Sequence, residues 1–278
     1  MERRLGLMAA AGGLPARAAA EARREGWRVT AFAFDNAPAL DTHSDAVVPS
    51  RLTDIQAVLT ELGRREIAAV VFVGKFWKEA AFAQADGADA AAAKLSARGL
   101  SDAALAEMVV ATLGALGIEV LDPRRFLGPW LLSERWLADA AAVAPAPSPS
   151  EQDEIRAGLD LARHLAGRGI GQTVVRARGV TVAVEAAEGT DEAIRRGTRL
   201  AGPGAVVVKA VAPEHDYRFD VPAIGPATLE IMAAGRARVL AIEPGKILLV
   251  DGEEVLARAA AAGIALVGAG DDPPPSPA

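Results

Sequence analysis

Lys209, Asp216, Arg218 and Asp220 fall in the stretch Lys209 to Gly225, KAVAPEHDYRFDVPAIG, which concentrates more chemically committed side chains than any other part of the chain. A lysine opens it, two acids flank an arginine, and Pro222 and Gly225 lead into an apolar run, Ala227 to Ala234, that can start a helix. A carboxylate close to two cations suits phosphoryl chemistry, where stabilising negative charge is most of the work. Asp220 precedes Val221-Pro222, an extended pair at a helix entrance, and suits three roles: metal ligand, general base or plain N-cap.

A second polar knot runs from Glu185 to Arg196, where Gly189 and Thr190 separate an apolar run from a helical pattern. Thr190 or Asp191 can cap that helix, with Arg195 and Arg196 one turn further on. A cap alone leaves Glu185 and Glu188 without a reason, and the two knots are expected to share a cleft. A third candidate is Ala10-Ala11-Gly12-Gly13-Leu14-Pro15, between an apolar run and a helical pattern, where backbone N–H groups can meet a phosphate. It is neither a GxGxxG fingerprint nor a Walker loop, and a tight turn without ligand explains it equally well. Lys75 and Lys78 follow the apolar run Val70 to Val73 through Gly74, as phosphate neutralisers or as a solvated basic loop.

The elements that must position these groups read as α/β. Leu5 to Ala9 is expected as a strand, Pro15 to Glu25 as a helix and Trp27 to Phe34 as the next strand. Thr53 is read as the N-cap of an amphipathic run to Arg65, and Ile67 to Val73 as a buried parallel strand. Ser101 begins a helix that ends at Gly117 and delivers a strand from Ile118 to Leu121. This is an open Rossmann-like sheet, placed at residues 1–128. Residues 129–150 change character, with Trp130 and Trp136 flanking a short helical run and then alternating Pro145, Pro147 and Pro149, and read as a Pro/Ala-rich linker. A distinct C-terminal α/β domain follows over 151–270. Ser150 and Asp153 are candidate caps of a helix from Glu154 to Arg168. Gln172 to Arg178 and Val180 to Glu185 form a hairpin turned at Gly179. Next come a strand at Ala205 to Lys209, a helix after Gly225, a strand pair around Val239 to Ile242 and Ile247 to Val250, a helix from Glu253 and a strand at Ile264 to Val267. Residues 271–278, rich in proline, are expected as a disordered tail.

Composition excludes several classes. Cysteine is absent, which removes disulfides, thiolate ligands and thiol nucleophiles and favours a reducing compartment. His43, His164 and His215 lack zinc-site spacing, and no Gly-x-Ser-x-Gly elbow occurs. A net charge of −6 argues against a nucleic-acid partner held through phosphates. The apolar run Leu5 to Ala11 is too short for a secretory signal, and no run reaches the roughly 20 apolar residues of a membrane span. A cytoplasmic protein is expected.

Taken together, Leu7-Met8-Ala9 with Gly12-Gly13-Leu14-Pro15, Ile170-Gly171-Gln172, Val184-Glu185-Ala186, Glu188-Gly189-Thr190-Asp191, Lys209 and Arg218-Phe219-Asp220-Val221-Pro222-Ala223-Ile224-Gly225 resemble the LpxI-type UDP-2,3-diacylglucosamine pyrophosphatases. The C-terminal motifs are the specific ones. The first domain departs from the family at Ala10-Ala11, Phe76-Trp77-Lys78 and Leu100-Ser101-Asp102. The resemblance implies two α/β domains and a lipid-linked nucleotide sugar as substrate. It implies a lipid A enzyme that requires Mg²⁺ or Mn²⁺ and releases UMP and 2,3-diacylglucosamine 1-phosphate after water attacks the α-phosphorus. Asp220 matches the family's essential aspartate, as metal ligand or organiser of the water. Lys209 and Arg218 would stabilise pyrophosphate charge. Gly12, Gly13, Leu14, Lys75, Gln172, Glu188, Gly189, Thr190, Asp191 and Gly225 would contact substrate. Peripheral contact with the inner membrane is implied, monomer and homodimer are both open, and a non-catalytic homologue or a pyrophosphatase of another UDP-sugar is the alternative. Phe126, Leu127, Trp130, Leu131 and Trp136 suit either interdomain packing or a wall for acyl chains.

Overall fold

The computed structural model describes residues 2–74, 102–142 and 144–270. Lys75, Phe76-Trp77-Lys78, Leu100-Ser101 and the tail 271–278 lie outside the described residues. The chain divides into two compact α/β units, one comprising Met1–Pro129 with Asp216–Val221, the other Trp130–His215 with Pro222–Ala278.

In the first unit, β1 (Arg3–Ala9), β2 (Trp27–Ala33), β3 (Ala46–Pro49), β4 (Ala69–Val73) and β5 (Glu119–Val120) form a parallel sheet in the order β3-β2-β1-β4-β5. That is the expected Rossmann-like order. Between the strands run α1 (Leu14–Arg24), α2 (Leu40–His43), α3 (Ile55–Arg64) and α4 (Asp102–Ala115), and the short α5 (Arg124–Leu127) follows β5. Asp54, not Thr53, caps α3, accepting from the Ala57 N–H. The small side chains Ala18, Ala19 and Ala22 let α1 lie close to the sheet, while Leu62 of α3 and Leu113 of α4 join Met8, Phe32 and Val70 in a separate core cluster. The chain moves outward from β1 to β3 and then crosses back to β4. The strand order therefore reverses between β1 and β4, the place where open sheets bind ligands. Phe126 and Leu127 are buried, with Phe126 edge-on to Trp27. Packing within this unit therefore accounts for those two, rather than a wall for acyl chains.

The second unit begins earlier than the sequence pattern suggests. Residues 129–150 are not a free linker. The chain forms a bridge from Leu131 to Leu248 and a helix, α6 (Glu134–Ala141), capped by Ser133 and packed on the last strand. The long helix α7 (Pro149–Gly167) is capped by Ser148 through a capping box with Glu151, not by Ser150 or Asp153. The sheet runs β12 (Ala265–Gly268), β10 (Val239–Ile242), β8 (Val206–Lys209), β6 (Thr173–Ala177), β7 (Val180–Val184), with β6 antiparallel to both β7 and β8. Arg178 and Gly179, both at positive φ, turn the β6–β7 hairpin as expected. α7 covers one side through Leu159 and Ala162 against Val174, Val206 and Val208. Helices α8 (Thr190–Ala201), α9 (Pro226–Ala234) and α10 (Gly252–Ala262) complete the unit. Residues 247–250 do not pair with β10. Instead β11 (Leu248–Leu249) pairs in parallel with β9 (Ala223–Ile224) as a separate two-stranded sheet. Two-residue strands flanked by turns carry no periodicity, so apolar content alone could not choose their partner.

Candidate active site

Lys209 is the last residue of β8, a strand flanked on both sides, and its side chain is almost wholly buried. Burying an ammonium group requires partners for its three N–H donors. They come from neighbouring elements. Its Nζ donates to Thr190 Oγ1 at 2.9 Å and Thr173 Oγ1 at 3.4 Å, and lies 3.8 Å from Glu185 Oε2. Thr173 faces Lys209 across the β6–β8 register, and Thr190 is the first residue of α8. The Thr190 hydroxyl donates to Glu185 Oε1 at 3.0 Å, and the Gln172 N–H is directed at Glu185 Oε2 from 3.4 Å. Lys209, Thr190 and Glu185 thus form one closed network.

Two glycines permit this local shape. A Cβ on Gly171 would come within 2.2 Å of the Glu185 carbonyl oxygen, so only glycine lets the start of β6 pass the end of β7. Gly189 has φ +81 and turns the chain into α8. Glu188 pairs with Arg196 at 2.6 Å. Burial disfavours ionising Glu188, but hydrogen bonds from its own N–H and from Arg196 outweigh that effect and hold the carboxyl below its ordinary value. Asp191 lies in the first turn of α8, where a carboxylate complements the helix dipole. Gly225 is the N-cap of α9 in extended conformation, and a Cβ there would make ordinary contacts.

The rest of the charged stretch goes elsewhere. Asp216–Val221 belongs to the first unit, so Lys209 and Asp220 do not share a unit. The segment is fixed there by aromatic rings. Phe219 lies 5.0 Å from Phe72 of β4, centroid to centroid, and Tyr217 carries the Arg124 guanidinium 3.5 Å above its ring. Arg124 is itself held by Asp122 just after β5, which keeps its guanidinium charged. Arg218 is bidentate to Asp216, at 2.9 and 2.7 Å, and that hydrogen bonding raises its already high pKa. Asp220 is exposed.

The glycine turn belongs to the same unit. Gly74, directly after β4, has φ +105, and a Cβ on it would sit 2.9 Å from the Ala10 and Ala11 backbone. Gly12 donates its N–H to Asn36 O, and Gly13 is the N-cap of α1 without a side-chain cap, both facing open space. Phe72 is two residues before Gly74 and Phe219 one before Asp220. The Asp220 segment is therefore brought to the sheet edge where β1 leads into the Gly12-Gly13 turn.

Sequence reasoning proposed no role for Thr173, whose position on β6 opposite Lys209 becomes visible only once the register is known. It noticed Glu185 but gave it no site role. Glu243, buried and bonded to Arg163 and Lys246, was missed altogether, because a single glutamate after an apolar run carries no motif. Among the described residues no group of three or more His, Asp or Glu gathers to hold a metal ion.

A Rossmann-like unit with an open glycine turn and an exposed aspartate, and a second α/β unit with a buried lysine bonded to the first residue of α8, define the class of two-domain α/β proteins. The family model described as the LpxI N-terminal domain matches residues 4–130, and that of the LpxI C-terminal domain matches residues 139–267. The chain belongs to the LpxI family. It is similar to the UDP-2,3-diacylglucosamine pyrophosphatase LpxI of Caulobacter vibrioides, 30% identical over 96% of this chain and 97% of that protein. Among solved structures it is similar to N5-carboxyaminoimidazole synthetase of Staphylococcus aureus, at 15% identity and a TM-score of 0.24 over 74% of this chain and 47% of that one. The ADP complex of that synthetase gives 13% and 0.25 over 79% of this chain and 57% of that one. Likeness at that level defines neither fold nor function.

Proposed function

We propose that this chain hydrolyses the pyrophosphate of UDP-2,3-diacylglucosamine in lipid A biosynthesis, releasing UMP and 2,3-diacylglucosamine 1-phosphate. The observation that carries this reading is the end-to-end match, 30% identical over 96% of the chain, to a relative named for that activity.

Water attacks the α-phosphorus, and the bond from that phosphorus to the bridging oxygen breaks. The bridging oxygen leaves on the sugar phosphate, and the water oxygen stays with UMP. Asp220 orients the water and accepts its proton, for which an exposed carboxylate on a segment anchored by two aromatic contacts is suited. Lys209 and Arg218 are the cations assigned to the pyrophosphate oxygens. The ammonium of Lys209 is anchored by the Thr190 hydroxyl at the first residue of α8, and a helix N-terminus favours an anion. Gly12, Gly13 and Leu14 at the β1–α1 turn, with Gln172, Glu188, Gly189, Thr190, Asp191 and Gly225, are the assigned substrate contacts.

Magnesium is commonly held by one or two carboxylates together with phosphate oxygens and waters. The single exposed carboxylate of Asp220 fits that donor count, so Mg²⁺ or Mn²⁺ would be held by Asp220 and the substrate's phosphates. When bound, the ion neutralises charge on the pyrophosphate. No helix among the described residues is long and apolar enough to cross a membrane, and peripheral contact from the cytoplasmic side is the mode we assign for reaching a diacylated substrate.

The test is UMP release from UDP-2,3-diacylglucosamine with Mg²⁺, with Mn²⁺ and with chelator, for wild type and Asp220→Ala. The expected result is metal-dependent release that Asp220→Ala abolishes. Tight substrate binding without turnover by the wild type would replace the enzyme with a binding protein. Equal hydrolysis of UDP-sugars lacking acyl chains would replace the substrate.

A further inference from the structure

Glu243 is 1% exposed, among the most buried ionisable side chains described, and nothing in the proposed reaction uses it. It directly follows β10 and lies beside the end of β8, since Ile242 pairs with Lys209. A buried carboxylate costs several kcal/mol unless it is paired and hydrogen-bonded, roughly as for other buried ions. Here it receives unusually full compensation. Oε1 accepts from Arg163 at 3.0 and 2.7 Å and from Lys246 at 2.9 Å, while Oε2 accepts the backbone N–H of Val211 at 2.8 Å.

The positions of these donors give the group its meaning. Val211 stands two residues beyond Lys209, at the root of the loop that leaves the second unit towards Asp216. Lys246 stands two residues before Leu248, whose N–H donates to the Pro222 carbonyl at 2.8 Å. Pro222 is the first residue back in the second unit after the Asp216–Val221 excursion. From there β9 pairs with β11, Ala223 with Leu248 and Ile224 with Leu249. One buried carboxylate therefore holds the departing end of the excursion directly, and the turn that receives its returning end through Lys246.

We infer that Glu243 is a positioning residue for Asp220: it clamps both roots of the segment that carries the aspartate, and so sets where that carboxylate is delivered. The inference rests on the proposed role of Asp220 in catalysis. Arg163 contributes by orienting the Glu243 carboxylate through two hydrogen bonds to Oε1. Misplacing a reacting group by about an ångström costs up to roughly a hundredfold in rate, so the clamp acts on turnover more than on binding.

The test compares full-length wild type with Glu243→Gln, which keeps the shape but loses the charge and turns an amide NH₂ toward one of the donors. Expected are a fall in kcat of about ten- to a hundredfold with KM changed less than about threefold, and exchange of the Val211 and Leu248 amides at least about tenfold faster with the β8 and β10 amides unchanged. A kcat within about twofold of wild type, or exchange at Val211 and Leu248 as in wild type, overturns the inference. So does acceleration spread evenly over the second unit, the mark of a merely structural residue. If Glu243→Gln does not fold, Lys246→Met replaces it and is judged on kcat and on Leu248 exchange alone, since Lys246 is 39% exposed and its loss leaves Glu243 bonded to Arg163 and to the Val211 N–H. If wild type itself shows no hydrolysis, the proposed activity fails, and the exchange measurement alone decides the clamp.

Discussion

Lys209 and Asp220 come from one charged stretch, yet the fold treats them in opposite ways. Lys209 ends a strand in the middle of a sheet, sealed in by Thr173, Thr190 and Glu185. Asp220 is exposed on a segment that joins the other unit and is held there by neighbouring rings rather than by regular structure. The lysine is thus both a functional candidate and part of the scaffold, whereas the aspartate can be replaced without disturbing a core. Function and stability should separate at one position and coincide at the other.

The largest effect on activity is expected from Asp220→Ala. kcat/KM should drop about a thousandfold, within the range for loss of a positioned acid or base, with the melting temperature within about 1–2 °C of wild type. Lys209→Met should lose activity about a hundredfold and also stability. Removing one member of a buried pair leaves Glu185 and two hydroxyls short of a partner, which costs about 3 kcal/mol and lowers the melting temperature by roughly 6–12 °C. Kinetics and thermal unfolding of the two variants side by side check the contrast. A stable, folded Lys209→Met protein would break it.

Phe219→Ala sharpens the comparison from the other side. It removes the ring tilted against Phe72 while leaving every charged group in place. An aromatic contact of this kind contributes about 0.5–1.5 kcal/mol beyond simple burial. Local loosening should cost roughly tenfold in kcat, with global unfolding little changed. Phe219→Tyr should restore most of the loss, since it keeps the ring. An unchanged kcat in Phe219→Ala would mean that the contact with β4 does not place Asp220.

What could be read from the sequence follows the same division. Strands such as Val70 to Val73 and Val206 to Val208 are continuous apolar, valine-rich runs, and the helices between them repeat at helical spacing, so most strands of the two five-stranded sheets and the hairpin at Gly179 were legible, while the short strand Ala46–Pro49 was not. Asp220 and Lys209 were legible as chemistry because their neighbours are charged and turn-forming. The destination of Asp216–Val221 was not. It is decided by Phe219 meeting Phe72 and Tyr217 meeting Arg124, contacts between residues far apart in the chain that leave no local periodicity. The clamp at Glu243 was hidden for the same reason, and in residues 129–150 the short helical run near Trp130 and Trp136 was legible while the Leu131–Leu248 bridge that ties this stretch to the second unit was not. Lys75 lies outside the described residues, so its proposed contact with substrate rests on sequence alone.

The smallest expected effect concerns the rim of the buried network. Glu188 pairs with Arg196, which also donates to the Val184 carbonyl and so ties α8 to the end of β7 just ahead of Glu185. Its carboxyl is held below its ordinary value of 4.5 in the folded protein. A depressed carboxyl stabilises the fold fully above the unfolded value and loses that contribution as pH falls through the folded one. Glu188→Gln should therefore melt about 1–2 °C below wild type at neutral pH, a modest shift because the pair is partly exposed and screened. The two melting curves should converge in acid, below the depressed value, and the neutral-pH difference should shrink in high salt. A gap that persists unchanged in acid would mean that packing of the side chain, not its charge, holds the edge of the Lys209 network. Rim and centre would then be built on different forces.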